Sequence, residues 1–169
     1  MADETYFFPV TVPYQGPGPD QSFGPRSTGE DHKGLDFTPP RRIRGDGEVF
    51  PILAHRGGVV TLAQHDTRYG AVFIRHDDGT QARYLHNATV SVVEDAIVVA
   101  GQQIATMGGR GPQGSDQFVT HLHFELLDAA GNHVDPGPSL LDAFNNPLST
   151  LQVVSHPDHG SPASEGPGL

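Results

Sequence analysis

The sequence predicts a β-dominated, antiparallel fold, and three observations carry that expectation. The apolar residues of its 169-residue length fall in short segments, either alternating with polar residues or briefly unbroken. Gly (21) and Pro (15) together exceed a fifth of the chain and punctuate those segments, so loops should be long and numerous. Helical periodicity is nearly absent: only SLLDAF, 139–144, with Ser139 as N-cap, suits a helical turn or two.

Residues 1–31 combine Pro, Gly and Asp with Tyr6, Phe7, Phe8, Tyr14 and Phe23, which predicts an irregular arm with enough aromatics to pack on the body. Strand segments then follow: EVFPILA (48–54), GVVTLA (58–63), AVFIRH (71–76), QARYLH (81–86), AIVVA (96–100), QQIATM (102–107) and VTHLHFELL (119–127). Between the third and fourth, HDDGT holds Asp78-Gly79, the strongest hairpin signal in the chain, so these two form an antiparallel meander. The body is expected to end near residue 146, and the tail 147–169 to be largely flexible from 155, where apolar residues thin out.

Composition removes several function classes. The formal charge is −10, and no Lys or Arg follows Arg110, so a nucleic-acid surface with clustered cations is not expected. Zero cysteines exclude disulfides, thiolate metal sites and a cysteine nucleophile. No run approaches the roughly 20 apolar residues of a membrane helix. At the start, MADETYFFPVTVPYQGPG has acidic residues where a signal peptide is basic, and Pro9 and Pro13 interrupt its apolar run. That predicts synthesis in the cytoplasm without a secretory signal.

The chemistry concentrates in histidines, of which there are ten. Single ones such as His55, His65, His76 and His133 read as surface or satisfied residues. HLHFEL, 121–126, is different, because His121 and His123 project from one face of a strand, where two imidazoles can hold a metal or divide metal binding from proton transfer. Glu125 shares their parity and suits a partner to one of them, or an unconnected strand-face carboxylate. HKGLD supplies a second group, His32 and Asp36, on one side of an extended segment, since Gly34 and Thr38-Pro39-Pro40 oppose a helix there. Imidazole and carboxylate are good zinc ligands. With His123 or His121 they make three protein ligands and leave an open position, the arrangement of catalytic zinc sites. YLH, 84–86, is the third element.

In this order, HKGLD, YLH and HLHFEL resemble the M23 zinc metallopeptidases, the lysostaphin-like or LytM-type peptidoglycan endopeptidases. The similarity extends to SFGPR (22–26), GEVFPILAHRGGVV (47–60), VFIRHDDGTQARYLH (72–86), VVAGQQIATMGGRG (98–111) and NHVDPG (132–137). Asn87 departs from the family's leucine, and Glu94-Asp95-Ala96 from its usual turn. The resemblance implies a lysostaphin-like antiparallel sheet with a substrate groove, one Zn2+ per chain held by His32, Asp36 and His123, and two catalytic histidines, His86 and His121. Either histidine can serve as base or as oxyanion donor; the zinc ligand beside it on the strand favours His121 as the base and His86 as the donor. The bond cleaved would be a peptide bond of bacterial peptidoglycan, in a stem peptide or cross-bridge. Without a signal, such an enzyme would be a phage lysin or a virion-borne wall hydrolase with phage tail or particle partners. The alternative is a structural tail or wall-binding protein that keeps the fold without turnover.

Overall fold

A computed structural model of the chain describes residues 6–10, 21–39 and 50–140. Among them twelve strands occur: Gly24–Pro25 (β1), Asp31–His32 (β2), Leu35–Phe37 (β3), Pro51–Leu53 (β4), Gly58–Ala63 (β5), Val72–Arg75 (β6), Gln81–Leu85 (β7), Asn87–Val90 (β8), Ile97–Val98 (β9), Gln103–Met107 (β10), Leu122–Leu127 (β11) and His133–Val134 (β12). The fold is β-dominated and antiparallel, as its alternating segments predict.

The meander around Asp78-Gly79 forms, with β5, β6 and β7 pairing in chain order. Its turn is tight because His76 N–H donates to Thr80 O (2.9 Å) and Gly79 N–H to His76 O (3.0 Å). Gly79 takes φ +84°, a left-handed conformation that a residue without Cβ adopts at no steric cost. Strand β11 then adds to β7, from Leu127 opposite Gln81 to His123 opposite Leu85. Its other edge is shared: β3 pairs with its first half and β12 with its second. The large sheet runs β12-β11-β7-β6-β5-β9, while β4-β10-β8 forms a three-stranded sheet.

One core joins the two sheets. Val60, Val72, Ile74, Tyr84, Leu122 and Phe124 of the large sheet cluster with Ile52, Ile104 and Met107 of the small one. Full burial of each such side chain contributes about 1.5–3 kcal/mol. Phe124→Ala would remove a ring packed on both Tyr84 and His55, at about 3–5 kcal/mol.

Residues 7–10 are sewn to this body. Leu53 N–H donates to Pro9 O (2.9 Å), Phe7 N–H to His55 O (2.8 Å), and Phe8 and Val10 enter the core. Further along the expected irregular arm, β1 and β2 form a small hairpin, closed where Arg26 N–H donates to Glu30 O (3.0 Å).

The C-terminal helical turn starts earlier than Ser139. Helix occupies 137–140, because Asp135 Oδ1 accepts the Gly137 N–H (2.9 Å) and Pro136 sits in the first turn, where its missing N–H costs nothing. Ser139 turns its hydroxyl inward to His55 instead. Tyr14, residues 141–144 of the expected helical segment and the tail 147–169 lie outside the described residues. No helix among the described residues is long and apolar enough to cross a membrane.

Candidate metal centre

Alternation along β11 divides its side chains between two destinations. Leu122 and Phe124 are fully buried in the core, while His123 and Glu125 take the opposite face. His121 stands one step before the strand, bridged to Gly108. The pairing of β3 with β11 sets Asp36 directly opposite His123. His32 reaches the same spot only because Gly34 lets the chain press against β11: a Cβ there would strike the Phe124 carbonyl oxygen.

Three ligand atoms therefore converge. His123 Nδ1 lies 2.8 Å from Asp36 Oδ1 and 2.9 Å from His32 Nε2, which is 3.2 Å from Asp36 Oδ1. The outward sides of the rings decide which nitrogen carries hydrogen. His32 Nδ1 donates to the Ser22 carbonyl (2.8 Å), and His123 Nε2 donates to Glu125 Oε1 (3.0 Å). Each ring thus turns an unprotonated nitrogen inward. Arg26 Nη2 donates to the second Asp36 oxygen, Oδ2 (2.9 Å), which leaves Oδ1 for the cluster.

With both rings neutral, two lone pairs and a carboxylate oxygen would face one another with no hydrogen between them. Such a set is satisfied by a shared proton or by a cation, and two imidazoles with a carboxylate are donors that zinc takes readily. The residues present fit that ion. Without an ion the shared proton fills that place: burial opposes charge on His123, yet its bonds to Asp36 and Glu125 raise its pKa to about 9. Burial likewise pulls the Asp36 carboxyl upward, but the His123 and His32 bonds override it and hold it well below the usual carboxylate range.

His86 and His121 stand beside this cluster, their ring centroids 4.6 Å apart. His86 ends the hairpin strand β7 in a left-handed conformation (φ +69°), anchored by its N–H to Tyr69 O (2.7 Å). Asn87 explains its own departure from the family pattern. Its amide, almost fully buried, donates to Gly70 O (2.6 Å) and Tyr84 O (2.9 Å), bracing the turn that His86 needs. Both rings donate Nδ1–H to a carbonyl, His86 to Arg110 O (2.8 Å) and His121 to Val119 O (2.7 Å). Both therefore present a bare Nε2, that of His121 at 3.9 Å from Asp36 Oδ1. Burial keeps them neutral: it lowers the pKa of His121, and with the neighbouring His121 lowers that of His86 to about 4. A groove of about 610 Å³ opens onto them, walled by Tyr69, Gln117 and Phe118.

The structure brings all five predicted site residues to this one place. Sequence reasoning gave no role to Arg26, left Glu125 undecided, and read His133 as ordinary. Only Glu125 carried a signal, its strand parity with the histidines. His133 comes alongside through the β11–β12 pairing, and its Nε2 donates to Glu125 Oε2 (3.0 Å).

An antiparallel sheet presenting a His, Asp, His donor set to an open groove is the architecture of a peptidase-type domain with a candidate metal centre. The sequence profile of peptidase family M23 matches residues 30–136, and the chain belongs to that family. Among its relatives is the murein hydrolase activator NlpD of Escherichia coli, 36% identical over 118 residues, 69% of this chain and 27% of NlpD. The E. coli lipoprotein YgeR is 34% identical over 62% of this chain and 38% of its own length. Similar solved structures include a zinc-containing peptidase from Vibrio cholerae (29% identity, TM-score 0.56, 78% of this chain and 39% of that one). The catalytic domain of lysostaphin from Staphylococcus simulans is another (25% identity, TM-score 0.55, 71% and 89%).

These relatives correct the expected localisation. YgeR and relatives of NlpD are named as lipoproteins, contrary to the expectation of a signal-less protein carried in a virion. The chain spans 27% of NlpD and 38% of YgeR, so the composition of its first residues is no guide to export.

Proposed function

We propose that this chain is a zinc-dependent endopeptidase that hydrolyses peptide bonds of bacterial peptidoglycan. The observation that carries the reading is the inward convergence of three acceptors, His32 Nε2, Asp36 Oδ1 and His123 Nδ1, beside two bare imidazole nitrogens in a groove. His32, Asp36 and His123 would hold the ion. Bound there, zinc supplies a Lewis acid that polarises a carbonyl and makes water acidic enough to attack near neutral pH.

The remaining steps fall to the chain's own side chains. Neutral His121, with Nδ1–H committed to Val119 O, accepts the proton of the attacking water at Nε2 and delivers it to the leaving amine. The donor role expected of His86 needs a hydrogen on its Nε2, and its bond to Arg110 O leaves that nitrogen bare in the neutral ring. Once protonated by that transfer, His121 is itself the donor to the oxyanion until the proton passes to the amine, with neutral His86 facing it. Tyr69 and Phe118 give the groove apolar walls against which a peptide can lie.

NlpD's name supports a second reading, a wall-bound activator of other hydrolases without turnover of its own. Zinc-loaded protein incubated with peptidoglycan sacculi, with fragments read by mass, separates the two. The endopeptidase reading expects new amino termini from wild type, none from His121→Ala with zinc still bound, and loss of both zinc and turnover in His123→Ala. Stoichiometric zinc without cleavage of any wall type would overturn it in favour of the activator.

A further inference from the structure

We propose that His133 is a positioning residue of the metal centre, acting through Glu125 to hold His123 in the ring orientation and tautomer that aim Nδ1 at the ligand cluster. The inference rests on the zinc reading above and extends it to a residue outside the ligand set.

Glu125 is the link. Its two oxygens are divided between two histidines: Oε1 accepts from His123 Nε2–H and Oε2 from His133 Nε2–H, each at 3.0 Å. The side chain of Glu125 is only 10% exposed, so these bonds act where water competes little. A carboxylate with one fixed partner can swing about its terminal torsion, which is broad and poorly restrained. With a donor on each oxygen it cannot swing without breaking one of them.

A competitor makes the second donor matter. Arg83 lies directly opposite Glu125 across the β7–β11 pair, with Nη1 3.6 Å from Oε2. Its guanidinium is held back, centred 4.4 Å over the Phe73 ring, while its Nε donates to Gln81 Oε1 (2.7 Å). His133 therefore occupies Oε2 at hydrogen-bond distance, where Arg83 would otherwise draw the carboxylate away from His123. The placement is set by backbone: β12 pairs His133 with Leu127, two residues beyond Glu125 on β11.

Full-length wild type, Glu125→Gln, His133→Ala and His133→Gln test this, with zinc affinity measured by chelator competition and histidine ring tautomers by 15N NMR. Gln at 125 offers one acceptor where two N–H groups point, so zinc affinity should fall about 10–100-fold. His133→Ala should weaken zinc about threefold to tenfold and broaden or shift the His123 ring signals. His133→Gln, whose amide N–H can reach Oε2, should recover most of that loss, and a merely structural role would give no such rescue. An unchanged zinc affinity and unchanged His123 signals in His133→Ala would overturn the proposal, as would a failure of His133→Gln to improve on Ala. Wild type that takes up no zinc is a separate outcome, which sinks the metal reading itself and this inference with it.

Discussion

Two buried histidine clusters lie on opposite sides of β11, and they differ in their count of hydrogens. On the core side, His55 is completely buried, with Nδ1 donating to Phe7 O (2.6 Å) and Nε2 accepting from the Ser139 hydroxyl (2.6 Å). Every lone pair there meets a hydrogen. On the groove side, neutral His32 and His123 would meet Asp36 acceptor to acceptor, a deficit that a shared proton or a cation fills. His55 and His32 are both buried, so burial alone does not separate a structural histidine from a candidate metal ligand. What separates them is whether donors balance acceptors.

That contrast can be broken most forcefully with zinc. At a free concentration a thousandfold above its Kd, zinc should add about 4 kcal/mol to unfolding, a rise in Tm of roughly 10 °C. It should add nothing to His123→Ala. A similar rise in that variant, seen by calorimetry, would mean that the ion binds elsewhere.

Acid should reveal the other cluster. Burial lowers the folded-state pKa of His55 to about 4, below its unfolded value of 6.5. The unfolded chain therefore binds the proton first, and the stability held by neutral His55 is complete above pH 6.5 and lost as pH falls toward 4. The loss should approach about 3 kcal/mol. Urea titrations of metal-free protein at several pH values should show this slope, and His55→Gln should flatten it; an equal slope in both would assign it to another group.

The smallest effect sharpens the comparison. Ser139→Ala leaves His55 Nε2 without its donor and should cost about 1–3 kcal/mol, with zinc affinity unmoved. A change in zinc binding would show that the two clusters communicate through Phe124, whose ring packs edge-on against His55 at 5.4 Å.

The donor set was legible in the sequence, and its surroundings were not. The alternation in HLHFEL, the glycine in HKGLD and the Asp78-Gly79 turn are local signals, each with a steric meaning that survives in the fold. Arg26 reaches Asp36 of β3 from the turn after β1, and His133 reaches Glu125 through the β11–β12 pairing, contacts that local periodicity cannot register. Ser139 had a sound local reading as an N-cap, but Asp135 and Pro136 start the helix sooner and His55 claims the hydroxyl. The expectation about export failed for a different reason: it drew on the composition of a chain end rather than on any contact.

The bond between His123 and Asp36 joins residues 87 positions apart. Closing so long a span is entropically slow, and its cost must be met before either residue gains its partner. During synthesis the chain can build the meander β5-β6-β7 from neighbours alone, but a chain released before residue 123 carries two of the three ligands and no centre. Competence to hold the ion is thus a late event in folding, and zinc uptake would serve as a readout of chains in which β3 and β11 have met.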